Sequence, residues 1–157
     1  LLIDKYAKLG TPKAFKFTKP RVANLNFRFS GLKTGILYFI QKQVKENPNF
    51  IEENLDDICA SIQQTITEIL FEKLKLASKQ TGIKNIAIAG GVSANSQIRS
   101  TLKSFENTLG WTTFIPKFEY TTDNAAMIAI VGYHKFLEQK FASENVIATA
   151  RLKVNEQ

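Results

Sequence analysis

The fold of this chain is decided by the stretch Ile86-Ala87-Ile88-Ala89-Gly90-Gly91-Val92-Ser93-Ala94-Asn95. The short apolar run predicts a buried β-strand, the glycine pair predicts a tight turn, and a helical pattern begins at Ser96. Glycines have no Cβ, so a ligand can approach the backbone where the strand ends, and the N–H groups that open the next helix can bind an anion. The buried face of that helix is predicted at Ile98, Leu102, Phe105 and Leu109.

A second strand and a second helix follow this pair. Residues 112–115 predict a strand parallel to the first, because a strand, a helix and a strand at this spacing form a right-handed parallel crossover. Thr121 or Thr122 is the expected N-cap of a helix that runs from Asp123 onward. Residues 125–131 are apolar nearly all round, which predicts a helix buried between the sheet and another layer.

Helices also dominate the first half of the chain. Residues 1–9 predict one or two helical turns that begin partway, as in the interior of a longer protein, and residues 11–26 predict an extended irregular segment. A helix is expected over Ser30–Glu46 and a longer one, about 40 Å in length, over Asn54–Gly82, with the first residue of each as its N-cap. Their buried faces are predicted at Leu32, Ile36, Leu37, Ile40 and Val44, and at Ile58, Ile62, Ile66, Ile69, Leu70 and Leu74. Because two strands cannot cover so many helices, either the irregular segments add strands or the sheet is completed by chain before residue 1.

The composition indicates a globular protein with an excess of basic residues. The 157 residues carry 21 basic and 14 acidic side chains, for a formal net charge of +7. Before residue 34 basic residues are mixed with phenylalanines, and Asp4 is the only acid there, a pattern that suits a nucleic-acid backbone. Composition alone favours the alternative, a solvated basic surface over buried aromatics. The apolar runs are too short to cross a membrane, and we expect a cytoplasmic protein.

The cysteine and histidine content limits the chemistry. A single cysteine, Cys59, excludes an internal disulfide and fits a reducing compartment, and its register predicts that it is packed. With His134 as the one histidine, a zinc site built only from Cys and His of one chain is excluded. The sequence has no Gly-x-Ser-x-Gly nucleophile elbow and no His-Glu-x-x-His zinc motif. Ser93 has no nearby base in the sequence, so we do not expect catalysis by this chain alone.

Two polar turns carry the candidate functional residues. The turns at 90–95 and 117–123 each follow a strand, and ligands of parallel sheets bind beyond the carboxyl ends of the strands. Because the strands are expected to be neighbours, we expect Asn95 and Asp123 to meet at one site. Asn95 can donate to and accept from a ribose or a carbonyl group, and Asp123 can be an oxygen ligand or an acid–base group. Taken singly, a helix cap for Asn95 and a first-turn acid for Asp123 are the simpler interpretations.

Three motifs occur in a fixed order along the chain. They are Phe29-Ser30-Gly31-Leu32-Lys33-Thr34, then Gly90-Gly91-Val92-Ser93-Ala94-Asn95 followed by Arg99, then Thr122-Asp123-Asn124-Ala125-Ala126-Met127-Ile128-Ala129. Together they resemble the tRNA N6-adenosine threonylcarbamoyltransferase family, formerly called O-sialoglycoprotein endopeptidases or glycoproteases. Lys5-Tyr6-Ala7-Lys8-Leu9-Gly10 is similar to a stretch that follows a glycine-rich turn in this family, and the resemblance covers essentially the whole chain.

The resemblance implies an α/β fold similar to the actin, Hsp70 and sugar-kinase superfamily, in which two ribonuclease H-like lobes hold a nucleotide in a cleft. Residues 1–157 would form the C-terminal lobe of this actin-like ATPase fold. Its partly parallel sheet, flanked by helices, would be incomplete without the N-terminal half. Within the lobe we expect a basic irregular segment at 1–29, a helical insertion at 30–82 and a strand-helix-strand-helix nucleotide and metal unit at 83–141.

The resemblance also implies a reaction. The family transfers a threonylcarbamoyl group from threonylcarbamoyl-adenylate to N6 of the adenosine that follows the anticodon in certain tRNAs, and its members need accessory proteins. Gly90, Gly91 and Asn95 match positions that bind the adenylate, and Asp123 matches an aspartate that holds an iron or zinc ion with two histidines. Those histidines form a His-x-x-x-His motif that this sequence lacks, and His134 matches neither. We therefore expect an active parent protein and an inactive isolated chain with weak metal affinity.

Two other functions stay open on the sequence. One is the metal-dependent O-sialoglycoprotein endopeptidase activity of the older family name, although a single aspartate at a helix start lacks the ligands and the general base of such an enzyme. The other is a non-catalytic nucleotide-binding or interaction module. An exposed apolar edge on the isolated chain would promote a homodimer, and light scattering that finds a clean monomer would count against it.

Overall fold

The computed structural model describes residues 2–20, 22–147 and 150, which divide into two compact units, Leu1–Thr122 and Asp123–Gln157. The elements of the first unit are α1 (Leu2–Ala7), α2 (Ser30–Glu46), α3 (Phe50–Thr81), β1 (Asn85–Ala87), α4 (Ser96–Leu109) and β2 (Thr112–Phe114), with 3-10 turns at Gly91–Ala94 and Phe118–Tyr120. The second unit contains α5 (Ala125–Leu137). No helix of the described residues is long and apolar enough to cross a membrane.

The longest helix, α3, supplies most of the core of the first unit. Its 32 residues extend about 48 Å at ~1.5 Å per residue. The prediction that Asn54 caps its start was wrong, because the helix begins four residues earlier, at Phe50. Asn54 instead lies at a kink, with φ −125° and ψ 17°, and its side-chain nitrogen donates to the carbonyl oxygen of Phe50 at 3.0 Å. Gly82 ends the helix in the left-handed conformation, as the sequence predicted.

Helix α2 has the predicted bounds but not the predicted cap. Phe29 holds the N-cap position, and no side chain caps the helix, so the prediction for Ser30 was wrong. Leu32 is buried beside Phe17 and Ile69, whereas Leu37, predicted on the buried face, is 52% exposed. The buried face of α2 is therefore narrower than the distribution of its apolar residues predicted.

The irregular segment at 11–24 runs along α3 in the same direction as the helix. Its backbone is fastened by side chains of α3: Asp57 accepts a hydrogen bond from the amide of Thr11 at 2.7 Å, and Lys73 donates to the carbonyl oxygen of Val22 at 2.7 Å. No strand forms among the described residues of this segment, and the described part of the chain contains only β1 and β2.

The two strands form the predicted parallel pair. Their register joins Asn85 to Thr112, Ile86 to Thr113 and Ala87 to Phe114. Helix α4 covers the pair with Leu102, which is fully buried in a core that also contains Phe71, Ile86, Ile98 and Trp111. Leu109, the last residue of the predicted face, is 38% exposed, because the helix ends there at Gly110 (φ 64°). Cys59 is buried, as predicted, and burial raises the pKa of its thiol.

Helix α5 contradicts two predictions about the end of the chain. Its N-cap is Asn124, whose side-chain oxygen accepts from the amide of Met127 at 3.2 Å, rather than Thr121 or Thr122. The helix was predicted to be buried, yet none of its residues is buried, and Ile128 is 76% exposed. The reason is that α5 is the one helix or strand among the described residues of its unit, so no second element within that unit covers it.

Candidate functional site

The loop after β1 has an open glycine backbone. Gly90 adopts φ 76° and ψ 175°, a conformation that residues with a side chain rarely adopt. A Cβ at Gly90 or at Gly91 would have no heavy atom within 4 Å, so the predicted space for a ligand against the backbone is present. The turn is closed by the hydroxyl of buried Ser93, which donates to the carbonyl oxygen of Gly90 at 2.7 Å.

Asn95 is held from both ends of its side chain. Its oxygen accepts from the amide of Ile98 at 3.0 Å, which makes it the N-cap of α4. Its nitrogen donates to Oε1 of Gln63 on α3 at 2.6 Å. Gln63 is 7% exposed, so this contact lies inside the protein and fixes the direction of the Asn95 amide.

The N-terminus of α4 is already occupied by an acid of the same chain. Oδ1 of Asp4 accepts from the backbone amide of Ser96 at 3.1 Å and from its hydroxyl at 2.7 Å. The carboxylate is 13% exposed and lies 3.9 Å from the ammonium of Lys8. The expectation that these N–H groups are free for an external anion was therefore wrong for two of them, because Asp4 binds the amide of Ser96 and Asn95 binds that of Ile98. The charge of Asp4 also complements the helix dipole.

Asp4 also brings a new group to the predicted turn. A cavity of about 320 Å³ is lined by Asp4, Gly91, Val92 and Asn95. Sequence reasoning missed Asp4 because 92 positions separate it from Ser96, although its place as the lone acid of a basic stretch was a signal. In such a cavity the carboxylate can accept hydrogen bonds from the hydroxyl groups of a sugar, and the amide can donate hydrogen bonds to them.

Arg99 joins the loops that follow the two strands. One of its guanidinium nitrogens donates to the carbonyl oxygen of Ser93 at 2.8 Å, and the other donates to that of Pro116. The guanidinium also lies 4.3 Å from the ring centre of Phe118. The carboxyl ends of β1 and β2 are thus held together by one side chain of the helix between them, as expected for neighbouring parallel strands.

The predicted metal ligand lies in the other unit. Asp123 is exposed and is the first residue of the second unit, so its proximity to Asn95 stays a prediction. Among residues 2–20, 22–147 and 150, no three His, Cys, Asp or Glu side chains lie close enough together to hold a metal ion. The described residues therefore do not form a metal site by themselves.

Comparison with known proteins places these residues in a family. A family model described as tRNA N6-adenosine threonylcarbamoyltransferase (TsaD) matches residues 1–130, which include both loops, Asp4 and Arg99. Curated relatives of that name occur in Christiangramia forsetii, 63% identical over 152 residues, and in Riemerella anatipestifer, 54% identical over 154 residues. A third, from Porphyromonas gingivalis, is 46% identical over 153 residues.

The matched region is nearly all of this chain but a minor part of each relative. It covers 97% of the chain and 45% of the Christiangramia forsetii protein, and 98% and 45% in the other two comparisons. The chain thus spans somewhat less than half the length of these curated relatives. Because the family model covers most of the sequence and the identities are high, the chain belongs to the tRNA N6-adenosine threonylcarbamoyltransferase family.

Proposed function

We propose that this chain is the adenylate-binding part of an enzyme that transfers a threonylcarbamoyl group from threonylcarbamoyl-adenylate to N6 of the adenosine following the anticodon of certain tRNAs. The observation that carries the proposal is the cavity lined by Asp4, Gly91 and Asn95, beyond the carboxyl end of β1, in a chain of this family. The lobe would belong to an actin-like, ribonuclease H-like fold, whose further sheet strands lie outside this sequence.

Three of the four residues that line the cavity, Asp4, Gly91 and Asn95, have a proposed role in holding a nucleoside. The carboxylate of Asp4 accepts hydrogen bonds from ribose hydroxyls, and the open space over the backbone at Gly90 and Gly91 lets the nucleoside lie against the main chain. Asn95 donates one of its two amide hydrogens to Gln63, so the second hydrogen remains for the ligand. These contacts position the adenylate so that the transfer takes place within one complex, which lowers the entropic part of the barrier.

The tRNA is the proposed second substrate, and the net charge of +7 suits it. Some of the N-terminal basic residues have partners within the chain, because Lys13 and Lys19 both pair with Glu68, at 3.1 and 2.7 Å. This supports the simpler interpretation, a structural role, for those two lysines. Accessory proteins and a cytoplasmic location are proposed with the family reaction.

A divalent iron or zinc ion is the proposed cofactor of the parent protein, where such an ion polarises a carbonyl group when bound. We propose Asp123 as one ligand, with the histidine ligands supplied from outside this sequence. Among the described residues no three His, Cys, Asp or Glu side chains lie close enough together to hold the ion, so we propose that the isolated chain is inactive. In the parent, Asp123→Ala is expected to abolish the modified adenosine and leave the fold intact, and retained activity would overturn this assignment.

Binding of adenosine monophosphate, measured by isothermal titration, tests the adenylate site directly. Asp4→Asn removes the charge but keeps an acceptor for Ser96, and it is expected to weaken binding roughly tenfold, the cost of one charge-assisted hydrogen bond. Glu52→Gln, an exposed carboxyl group in the first turn of α3, is the matched control and should bind like the wild type. Equal affinities of the two variants, or no binding by the wild type, would overturn the proposal.

The alternative activities have their own tests. Incubation with a sialoglycoprotein would reveal the endopeptidase of the older family name, and cleavage without transfer would replace the present proposal. The interaction module would be supported by two results together. The isolated chain would form a dimer that binds adenosine monophosphate, and the parent protein would show no transfer activity. The homodimer of the isolated chain stays a prediction, to be checked by light scattering.

A further inference from the structure

Another concave surface lies at the opposite end of the strands from the proposed adenylate site, the cavity lined by Asp4, Gly91, Val92 and Asn95. It is a groove of about 450 Å³ between the last turn of α3, the residue before β1 and the residue before β2. Three lysines line it, together with polar and apolar neighbours: Lys75, Ser78, Lys79, Gly82, Lys84, Leu109 and Trp111. We call this surface the lysine groove. No acidic residue lines it, and all three ammonium-bearing side chains are exposed.

The acids on the flanking helices are engaged elsewhere. Glu72, one turn before Lys75 on α3, pairs with Lys19 at 2.6 Å. On α4, Glu106 pairs with Lys103 at 2.7 Å and accepts a hydrogen bond from Thr113. The charges of the lysine groove are therefore not neutralised by the carboxylates nearest to them along the chain.

The arrangement of the lysines has a cost for the folded chain alone. Lys75 and Lys79 are four residues apart on one helix, a spacing at which like charges repel. The ring of Phe105 lies 4.4 Å from the ammonium of Lys75, and the C-terminal dipole of α3 offsets part of the repulsion. Lys84 lies three residues after the end of α3. Among the described residues, none of these three lysines forms an ion pair. An external polyanion would neutralise all three.

We propose that the lysine groove binds the phosphate backbone of the tRNA, an inference that rests on the proposed function. Lysine ammonium groups act as point charges toward phosphates, and the exposed side chain of Leu109 offers an apolar surface for the sugars. Strand β1 has three residues and extends about 10 Å at ~3.3 Å per residue. One RNA can therefore contact the groove at one end of the strands and present a base at the other.

The experiment compares two double variants of equal charge change. Lys79→Gln with Lys84→Gln removes two ammonium groups from the groove, whereas Lys42→Gln with Lys45→Gln removes two exposed ones from α2. Binding of a tRNA transcript to the full chain is measured by fluorescence anisotropy from about 50 to about 200 mM salt. The groove variant is expected to lower affinity at least tenfold and to reduce the slope of log K against log salt by about 1.5, while the α2 variant leaves the slope unchanged.

Each remaining outcome decides the proposal. Equal losses in both variants would show a diffuse charge effect and overturn it, as would a wild type that binds no tRNA. Competition by polyglutamate as effective as that by tRNA, at equal charge, would assign the groove to acidic protein surfaces instead. Adenosine monophosphate binding is measured on the same samples and should be equal in both variants. A wild type that binds tRNA but not adenosine monophosphate would contradict the proposed function and leave the groove assignment to its own result.

Discussion

The side-chain nitrogen of Asn95 donates to Oε1 of Gln63 over 2.6 Å, which joins the start of α4 to the middle of α3. Because the oxygen of Asn95 also caps α4, one side chain links a helix start, a buried glutamine and the cavity that Asp4 and Gly91 also line. The cap is therefore present at this residue, the ligand contact stays a prediction, and substitutions can separate the two.

The first prediction concerns the coupling between these two residues. Asn95→Ala removes the cap and leaves the buried Gln63 amide without its donor, so the free energy of unfolding should fall by about 2 kcal/mol. Asn107→Ala, at an exposed position of the same helix, should change it by less than about 0.5 kcal/mol. Chemical denaturation of Asn95→Ala, Gln63→Ala and the double variant should give a coupling energy near 1 kcal/mol. Strict additivity would contradict the contact.

The second prediction concerns the link between the two loops. Arg99→Lys keeps the charge but cannot donate from a planar fork to the carbonyl oxygens of both Ser93 and Pro116, so the loops should open more often. Hydrogen exchange at residues 91–95 and 117–121 should be faster, with a loss of about 1 kcal/mol in stability. Lys103→Gln, which removes only a surface ion pair on α4, should leave exchange in both loops as it is. Unchanged exchange in Arg99→Lys would show that other contacts hold the loops.

The third prediction uses two glycines in opposite environments. A Cβ on Gly10 would lie 2.1 Å from the carbonyl oxygen of Asp56, and this backbone atom cannot move aside, so Gly10→Ala should cost at least about 2 kcal/mol. A Cβ on Gly35, inside α2, would meet nothing within 4 Å, and Gly35→Ala should add about 0.5 to 1 kcal/mol. Thermal unfolding should move in opposite directions for the two variants. A shift of the same sign in both would refute the close approach at Gly10.

The fourth prediction concerns acid stability. The hydrogen bond from Gln64, followed by that from Lys19, lowers the pKa of Glu68 from 4.5 to about 2. A carboxyl group with a depressed folded pKa stabilises the fold above its unfolded pKa, and this contribution is lost as the pH falls from about 4.5 toward about 2. Between about pH 5 and about pH 2, Glu68→Gln should lose about 1 kcal/mol less stability than the wild type, because water screens part of the effect.

The control for acid stability is Glu52→Gln, at an exposed position of the same helix. It should lose as much stability as the wild type over the same pH range. Denaturant titrations at several pH values measure the difference. Parallel pH profiles for Glu68→Gln and the wild type would show that the network around Glu68 does not contribute to stability in solution.

The fifth prediction concerns metal binding by the chain alone. Asp123 offers a single carboxylate, and a site for iron or zinc needs further protein ligands. Isothermal titration with zinc should therefore show weak binding that Asp123→Ala hardly changes. Tight stoichiometric binding would contradict the proposal that the other ligands come from outside this sequence.

Local patterns in the sequence predicted the region from β1 to β2 well. The apolar run ending at Gly90, the helical period after Ser96 and the stop at Gly110 each depend on neighbours a few residues away, and the parallel pairing follows from that spacing. The bounds of α2 and the end of α3 at Gly82 were predicted for the same reason. Helix caps were predicted less well. Ser30 was predicted as the N-cap of α2, but it is the first residue of the helix, and Phe29 holds the cap position.

Contacts between distant parts of the chain could not be predicted in this way. Asp4 stands out as the lone acid of a basic stretch, but its neighbours in the sequence do not indicate that its carboxylate binds the amide of Ser96. The apolar composition of α5 predicted burial, but burial depends on whether another element covers the helix, which composition does not encode. The relation of Asp123 to Asn95 depends on the arrangement of two units and therefore stays a prediction.

The backbone of Gly90 has the handedness of a mirror-image amino acid. Its φ of 76° with ψ 175° is strained for L-alanine but is the ordinary extended region for D-alanine, and contacts do not limit the position, since an L-Cβ would meet nothing within 4 Å. Chemical ligation could therefore introduce either enantiomer at this position. The L-form would report the strain of the turn, and the D-form, which leaves the turn relaxed, would report how closely a nucleoside lies against it.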